Sequence, residues 1–456
     1  MRVVVAGGSA AGIFTSLLLA RAGHDVVMLD RDPIEPASTV EQAAETAFRP
    51  AAPQIVQPHG LLPLCRELLL TWLPDVYDDL LAAGMVEAPI STQLPPSLPD
   101  RTARAGDERL VMLLGRRSTF DWALRRAVLA EGGVSARSGV RVTGLRASPG
   151  RPPRVIGVET SDGCLPADLV VDATGRRSRV DSWLASIGAG PTQLRQDECG
   201  LAYYSRHYRV AAEADRALTA TTRVVVQEPE FTAGIWGGDH GRMVLVVAPL
   251  AEDKRFRDLA DPDVHSAVLR TVPSLAAWLE KLEPTSGIYP MGGLANSLRR
   301  LVVSGAPVAL GLTAVGDSVC TTNPTFGRGL SLAMLGAVDL GQVVGKHGED
   351  LPRLAAEVDR LVTQNIEPFY DDQATNDKVR LAEMRRVVVD PALAARADDP
   401  ERVTFAELRA AAAHDAHVLR AFWQVFGMLR KPEQIYTDPT VVSRTRQVLK
   451  TVGGPA

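Results

Sequence analysis

The run Gly7-Gly8-Ser9-Ala10-Ala11-Gly12 sets glycines where a chain turns sharply and then runs close to a neighbouring strand. Its spacing is that of G-x-G-x-x-G, with Ser9 in place of the middle glycine. The first glycine permits the tight turn and the last lets helix and strand approach. The helix N-terminus that follows offers free N–H groups and a positive dipole end to a pyrophosphate. Ser9 fits this scheme at negative φ, and its hydroxyl adds a phosphate donor. Asp30, eighteen residues after Gly12, stands where a carboxylate accepts from the ribose hydroxyls of an adenosine. A carboxylate there disfavours a 2′-phosphate, so FAD or NAD is expected over NADP.

A second constellation, "GDSVCTTNPTFGRGLSLA" at 316–333, separates those two cofactors. Gly316-Asp317 follows an apolar strand, which puts the carboxylate at a strand C-terminal end, facing a ligand crevice. An acid there accepts from ribityl hydroxyls. Pro324 fixes the approach, and Gly327 and Gly329 open a helix whose N-terminus faces developing negative charge. A reduced isoalloxazine carries such charge at its N1–C2=O edge, whereas NAD has neither that ring nor a ribityl chain.

These residues need a scaffold, and the sequence supplies one. "RVVVA" (2–6) and "DVVMLD" (25–30) read as buried strands flanking a helix that stops at Gly23, a βαβ unit implying a parallel sheet. Residues 33–60 are Pro/Ala-rich and irregular. Helical periodicity returns in "LLPLCRELLLTWLPDVYDDLLAAG" and in "RRSTFDWALRRAVLAEG", with Arg117 in the first turn of the latter. "GVRVTGLRAS", "RVIGVETSDG" and "DLVVDATG" read as strands of a small meander. From about 188 to 299 the pattern is β-rich, with one helix near 262–281. The buried-strand signal resumes in "VALGLTAVGDS", 327–344 is helical, and amphipathic helices follow from about 350. The expected fold class is α/β: a Rossmann-like FAD-binding domain split into 1–187 (with the insertion 33–60) and 300–349, a β-rich substrate domain at 188–299, and a C-terminal helical region at 350–456.

Composition narrows the class. With 50 basic and 54 acidic side chains the formal charge is −4, which argues against a general nucleic-acid partner. Cys65, Cys164, Cys199 and Cys320 lie far apart and form no CxxC pair, so no metal site is expected. The N-terminus lacks a signal-peptide pattern and no apolar stretch is long enough to span a bilayer, so a soluble, cytoplasmic protein is expected.

The segments "VVVAGGSAAG…VVMLDRD", "DATGRRSR" and "GDSVCTTNPTFGRGLSLA" resemble the FAD-dependent monooxygenases that share the para-hydroxybenzoate hydroxylase fold. "DSWLASIG", "GLAYYSRHYR" and "AFWQVFGMLRKPEQIYTDP" are similar to its bacterial branch near the polyether epoxidases and squalene epoxidase. The resemblance implies that Gly7 to Gly12 hold the FAD pyrophosphate and Asp30 the adenosine ribose, with Arg31 beside the adenine. It implies that Arg117, in R-x-x-x-D-x-x-L, reaches the pyrophosphate and that Val142 offers backbone atoms to the adenine. Asp317 would bind the ribityl chain or phosphate, and Gly327, Arg328, Gly329 and Leu330 would line the flavin ring. In "QPHGLL", Gln57, His59 and Gly60 would approach the flavin from outside. One departure stands out: members usually carry Asp-Gly-x-x-Ser in the middle motif, where this chain has Thr174-Gly175 in "DATGRRS". That leaves open whether NAD(P)H reduces the flavin directly or a separate flavin reductase does. Arg176, Arg177 and Arg179 read equally as solvated charge.

The implied activity is oxidoreduction: one oxygen atom passes from O2, by way of a flavin C4a-hydroperoxide, into an apolar or aromatic small molecule. Epoxidation and hydroxylation, in secondary metabolism, are the expected outcomes. No side-chain nucleophile is required and no catalytic residue is assigned. Of the aromatics Tyr203, Tyr204, Tyr208, Phe231, Trp236 and Tyr289, the candidate substrate walls are Tyr203, Trp236 and Tyr289; alternation lets only one of Tyr203 and Tyr204 face a pocket. A reductase of the geranylgeranyl-reductase type is the alternative. A flavin halogenase needs a WxWxIP stretch and a catalytic lysine, and "GIWGG" at 234–238 is a poor substitute. An FAD-bearing binding protein is the non-enzyme reading.

Overall fold

The computed structural model describes residues 1–33, 36–49, 52–211, 221–387 and 399–452. Parts of the expected insertion, of the β-rich region and of the C-terminal helical region therefore lie outside the described residues. Five parallel strands form the central sheet, in the order Leu312–Ala314, Leu169–Asp172, Arg2–Ala6, Asp25–Asp30, Val134–Ser138. Val3, Val4 and Val5 are fully buried because helices or strands cover both faces, which is why their segment reads as an unbroken apolar run rather than an alternating one. The helices Ala10–Arg21, Arg117–Ala130 and Gly329–His347 cover one face. The antiparallel meander Val142–Ser148, Arg154–Thr160, Gly163–Pro166 and the helix Val180–Ser186 cover the other. "DLVVDATG" is thus not a meander strand. Its four strand residues are all buried and pair in parallel with Arg2–Ala6, and Gly163–Pro166 completes the meander instead.

A second five-stranded sheet is antiparallel, in the order Arg223–Gln227, Phe231–Gly237, Arg242–Pro249, Tyr203–Val210, Leu282–Met291. Alternation divides its side chains. Tyr208, Ile235, Leu245 and Val247 pack under two helices, Pro262–Arg270 and Pro273–Leu279. Two helices replace the expected one because Pro273 cannot continue the first and holds Val272 extended. The opposite face, with Tyr203, Trp236, Val246 and Ala248, borders a cavity that the ends of the first sheet's strands also line. Within the irregular insertion, Thr39 caps a short helix at Val40–Glu45 and a 3₁₀ turn forms at Pro53–Val56. Helices from Leu351 onward build an apolar cluster around Phe405, Trp423 and Phe426. No described helix is long and apolar enough to cross a membrane.

Candidate functional site

The turn out of the first strand is built for close approach. Gly7 has φ +118°, and a Cβ on Gly7 would overlap the Ala173 carbonyl; one on Gly12 would overlap the carbonyl of Gly7. Ser9 has φ −97° and does not cap the helix with its side chain, so the middle position accepts an L-residue and the first-turn N–H groups keep no side-chain acceptor. Asp30 is buried at the end of its strand, accepting from Gly8 N–H (2.8 Å) and Asp32 N–H (2.9 Å). Each carboxylate oxygen retains a lone pair for a further donor.

Gly316 has φ +62° and a Cβ there would meet Ala11 at 2.6 Å, so the Asp317 turn packs directly on the first helix. Beside it, buried Asp172 gathers the middle motif: it accepts from Thr174 N–H (2.9 Å), the Thr174 hydroxyl (2.6 Å), the Ser178 hydroxyl and the Ser318 hydroxyl (3.2 Å). Ser318 also receives Gly175 N–H at 2.8 Å. Thr174, standing where members of the resembled family usually carry an acid, is turned onto Asp172. Asp317 borders the same cavity, its carboxyl pushed up by burial against the opposing charges of Arg117 and Arg176. Arg117 is buried, donates to Asp121 (2.8 Å) and lies 3.5 Å from His59 Nε2. His59 Nδ1 is 2.9 Å from the Gln57 carbonyl. Burial and the Arg117 charge lower its pKa to about 4, keeping the imidazole neutral at pH 7.

These pieces bound one cavity of about 440 Å³. At one end are Gly7 to Ala11, Asp30, Arg31 and Val142, with Thr174, Gly175 and the Arg176 to Arg179 segment. In the middle are Asp317, His59, Pro324, Gly327, Gly329 and Leu330. At the other end lie Tyr203 and Trp236. Arg176, Arg177 and Arg179 border the cavity; Arg176 is half-buried, while Arg177 and Arg179 are exposed, in keeping with solvated charge at its mouth.

Four expectations need correction. Gly12 and Gly316 are not wall residues; they permit helix packing behind the wall. Arg328 does not line the cavity. It is fully buried, donates to Asp372 (2.6 Å) and the Phe369 carbonyl (3.0 Å), and sits between the rings of Phe326 and Phe369. With the glycines on either side of it at the wall, the side chain between them turns back toward the helix Glu367–Arg385. Tyr289 also lies off the wall: its ring meets His207 edge-on, its carbonyl accepts from Gln57, and it packs with Ile55 and Val56.

The reading of the sequence missed Arg223, Gln227, Met291, Arg380, Arg409 and Phe426, all of which reach the cavity. One signal was available: "RVVVQ" places Arg223, Val225 and Gln227 on one face of a strand, with polar ends around an apolar run. Nothing local marks Arg380 or Phe426, which arrive from distant helices. Tyr203 donates to Asn323, whose amide reaches Asp377 at 3.0 Å, so the wall and the loop before Pro324 share a buried polar network.

A parallel sheet carrying a dinucleotide-type turn, a second turn with an acid, and an antiparallel sheet closing the far end together define the fold of the flavin-dependent monooxygenases and halogenases. No family model matches the chain. Protein Rv3254 of Mycobacterium tuberculosis is 24% identical over 408 residues, spanning 82% of this chain and 79% of its own. Among solved structures, p-nitrophenol 4-monooxygenase PnpA of Pseudomonas putida is similar with a TM-score of 0.59 and 17% identity, covering 94% of this chain and 98% of PnpA. The flavin-dependent brominase Bmp2 is similar with a TM-score of 0.63 and 15% identity, covering 99% and 100%.

Proposed function

We propose that the chain is an FAD-dependent monooxygenase acting on an apolar or aromatic small molecule. The observation that carries this is the single continuous cavity running from Gly7 and Asp30, past Asp317 and the 324–330 loop, to the antiparallel sheet. The residues fit the cofactor. At Gly7 and Gly8 the backbone packs so closely on Ala173 and Asp30 that no Cβ fits, and the uncapped helix start at Ala10 suits a pyrophosphate. Asp30 would take the ribose, Arg31 and Val142 would flank the adenine, Arg117 would face the pyrophosphate, and Asp317 would accept from the ribityl chain. FAD held there supplies two-electron redox chemistry and, when reduced, activation of O2.

The chain's own contribution is positioning and exclusion of water. Leu62, Met112, Phe326 and Met291 give the middle and far end apolar surface. Neutral His59 offers the wall no positive charge of its own, while the N-terminus of the helix Gly329–His347 faces the flavin end with its dipole. Tyr203 and Trp236 bound the space for substrate. Electrons come from NAD(P)H or from a separate flavin reductase, and the Asp172 clamp in the middle motif makes the second source the one to test first. Hydroxylation and epoxidation, the latter as in the polyether and squalene epoxidases, are the two outcomes in view.

The likeness to Bmp2 raises a halogenase as a second reading. Against it, no lysine lines the cavity among the described residues. Oxygen uptake with a reduced-flavin source and candidate substrates, with labelled O2 traced into product, tests the proposal. Label in the product supports it; halogenated product, or turnover without oxygen uptake as a reductase would give, rules it out.

A further inference from the structure

The far end of the cavity carries a charge that the proposed cofactor contacts do not use. Arg223 opens the edge strand Arg223–Gln227 and pairs across it with Trp236. Arg223, Val225 and Gln227 share the face turned to the cavity, beside Thr232, Trp236, Val246 and Ala248 of the next two strands. The ring of Trp236 lies across Gly234, where a Cβ would come within 2.6 Å of it. This leaves a flat apolar floor with a guanidinium at one corner. The Arg223 guanidinium sits over the Phe426 ring at 4.8 Å, and no hydrogen-bond or ion-pair acceptor meets it among the described residues.

Its surroundings make that isolation notable. The acidic residues on the cavity wall are Asp30 and Asp317, both at the end read as holding the cofactor. Arg380, the neighbouring cation, is already paired with Asp377 at 2.9 Å. Arg409 stands at the wall and is exposed. Arg223 is half-buried and lines the cavity with no anion beside it, and a charge in such a partly enclosed place gains from an anionic ligand. Here only burial acts on the guanidinium, lowering its pKa to about 10, so it stays charged at pH 7.

We propose that the substrate is a planar apolar acid whose carboxylate is taken by Arg223, with its ring on the floor formed by Trp236, Val246 and Ala248. This rests on the reading that the cavity holds FAD at one end and substrate at the other. Arg223 is then a specificity determinant: it selects the anion and sets which end of the molecule points toward the flavin. Phe426 holds the guanidinium through its ring at 4.8 Å, which links the C-terminal helices to substrate choice.

The test uses full-length protein reconstituted with FAD and reads perturbation of the flavin absorbance as matched probes are added: benzoate against benzamide, and naphthoate against naphthamide. A charge-assisted contact in a partly dry site favours the acids by about 10- to 100-fold. Arg223→Gln is expected to bring the acid-to-amide ratio close to one while leaving amide affinity within about threefold. Arg223→Lys, which keeps the charge but loses the planar fork, should give an intermediate ratio. Equal affinity for acid and amide in the unaltered protein overturns the proposal, as does an acid preference that survives in Arg223→Gln. Failure of both acids to perturb bound flavin also overturns it. Failure of the protein to take up FAD at all is a separate result, and it removes the reading of the cavity on which the proposal rests.

Discussion

Replacing Arg328 distinguishes two roles for one residue. The sequence motif suggests a side chain against the flavin, whereas the structure puts it in a buried tie between the 324–330 loop and the helix Glu367–Arg385. In Arg328→Met the 2.6 Å pair with Asp372 is lost, together with a 3.0 Å bond to the Phe369 carbonyl and contacts with two rings. Asp372 keeps Tyr436 (2.8 Å) and Asn376 (3.0 Å) as donors, so its charge is not abandoned. Breaking one side of a buried pair costs about 3–5 kcal/mol, and the remaining donors place this case near ~3. For a chain of 456 residues unfolding as one unit, an unfolding entropy of about 1 kcal/mol/K converts that to a Tm lower by ~3 °C. FAD affinity of the folded fraction should stay within about twofold. Calorimetry and flavin-fluorescence titration of the same preparation measure both. An unchanged Tm with FAD binding weakened by ~10-fold or more would refute the assignment and return Arg328 to the cofactor.

Asp30→Ala removes the acceptor for Gly8 N–H and, in the proposed site, for the ribose, and should weaken FAD binding by about 10- to 100-fold in equilibrium titration. Gly12→Ala forces a methyl into the Gly7 carbonyl; we expect a loss of stability of about 1–3 kcal/mol or more, with poor flavin retention, checked by thermal unfolding and by the flavin-to-protein absorbance ratio. His265 is fully buried, with Nε2 3.0 Å from the Tyr204 carbonyl and Nδ1 unpartnered, and burial lowers its pKa to about 4. The unfolded chain therefore binds this proton first: the stability from neutral His265 is whole above its unfolded pKa of about 6.5 and is lost as the pH falls toward 4. The loss reaches about 3 kcal/mol, and His265→Gln should flatten that part of the stability-against-pH curve measured by denaturant unfolding.

The first strand, its helix and Asp30 were legible because each sits within a few residues of its partners: a β-branched run, glycines at fixed spacing and an acid closing the next strand. The same local logic located Asp317 and the glycines before the late helix. It failed at Leu169–Asp172, where three apolar residues and an aspartate suit a meander edge as well as a buried parallel strand, and only pairing with Arg2–Ala6 decides. It failed again at Arg328 and Tyr289, since the direction of a side chain in a loop or on an edge strand depends on what packs behind it. Arg380, Arg409 and Phe426 were out of reach for a related reason. Their place on the wall comes from C-terminal helices folding back across the sheet, a long-range contact that no local pattern encodes.

The most direct measurement is the absorbance spectrum of the purified, FAD-reconstituted protein after removal of free flavin, followed by anaerobic addition of NADH or NADPH. Retained flavin bands at close to one FAD per chain are the predicted result, and bleaching or its absence then assigns the electron source. A chain that returns no flavin after reconstitution would contradict the FAD site and with it the proposed monooxygenase.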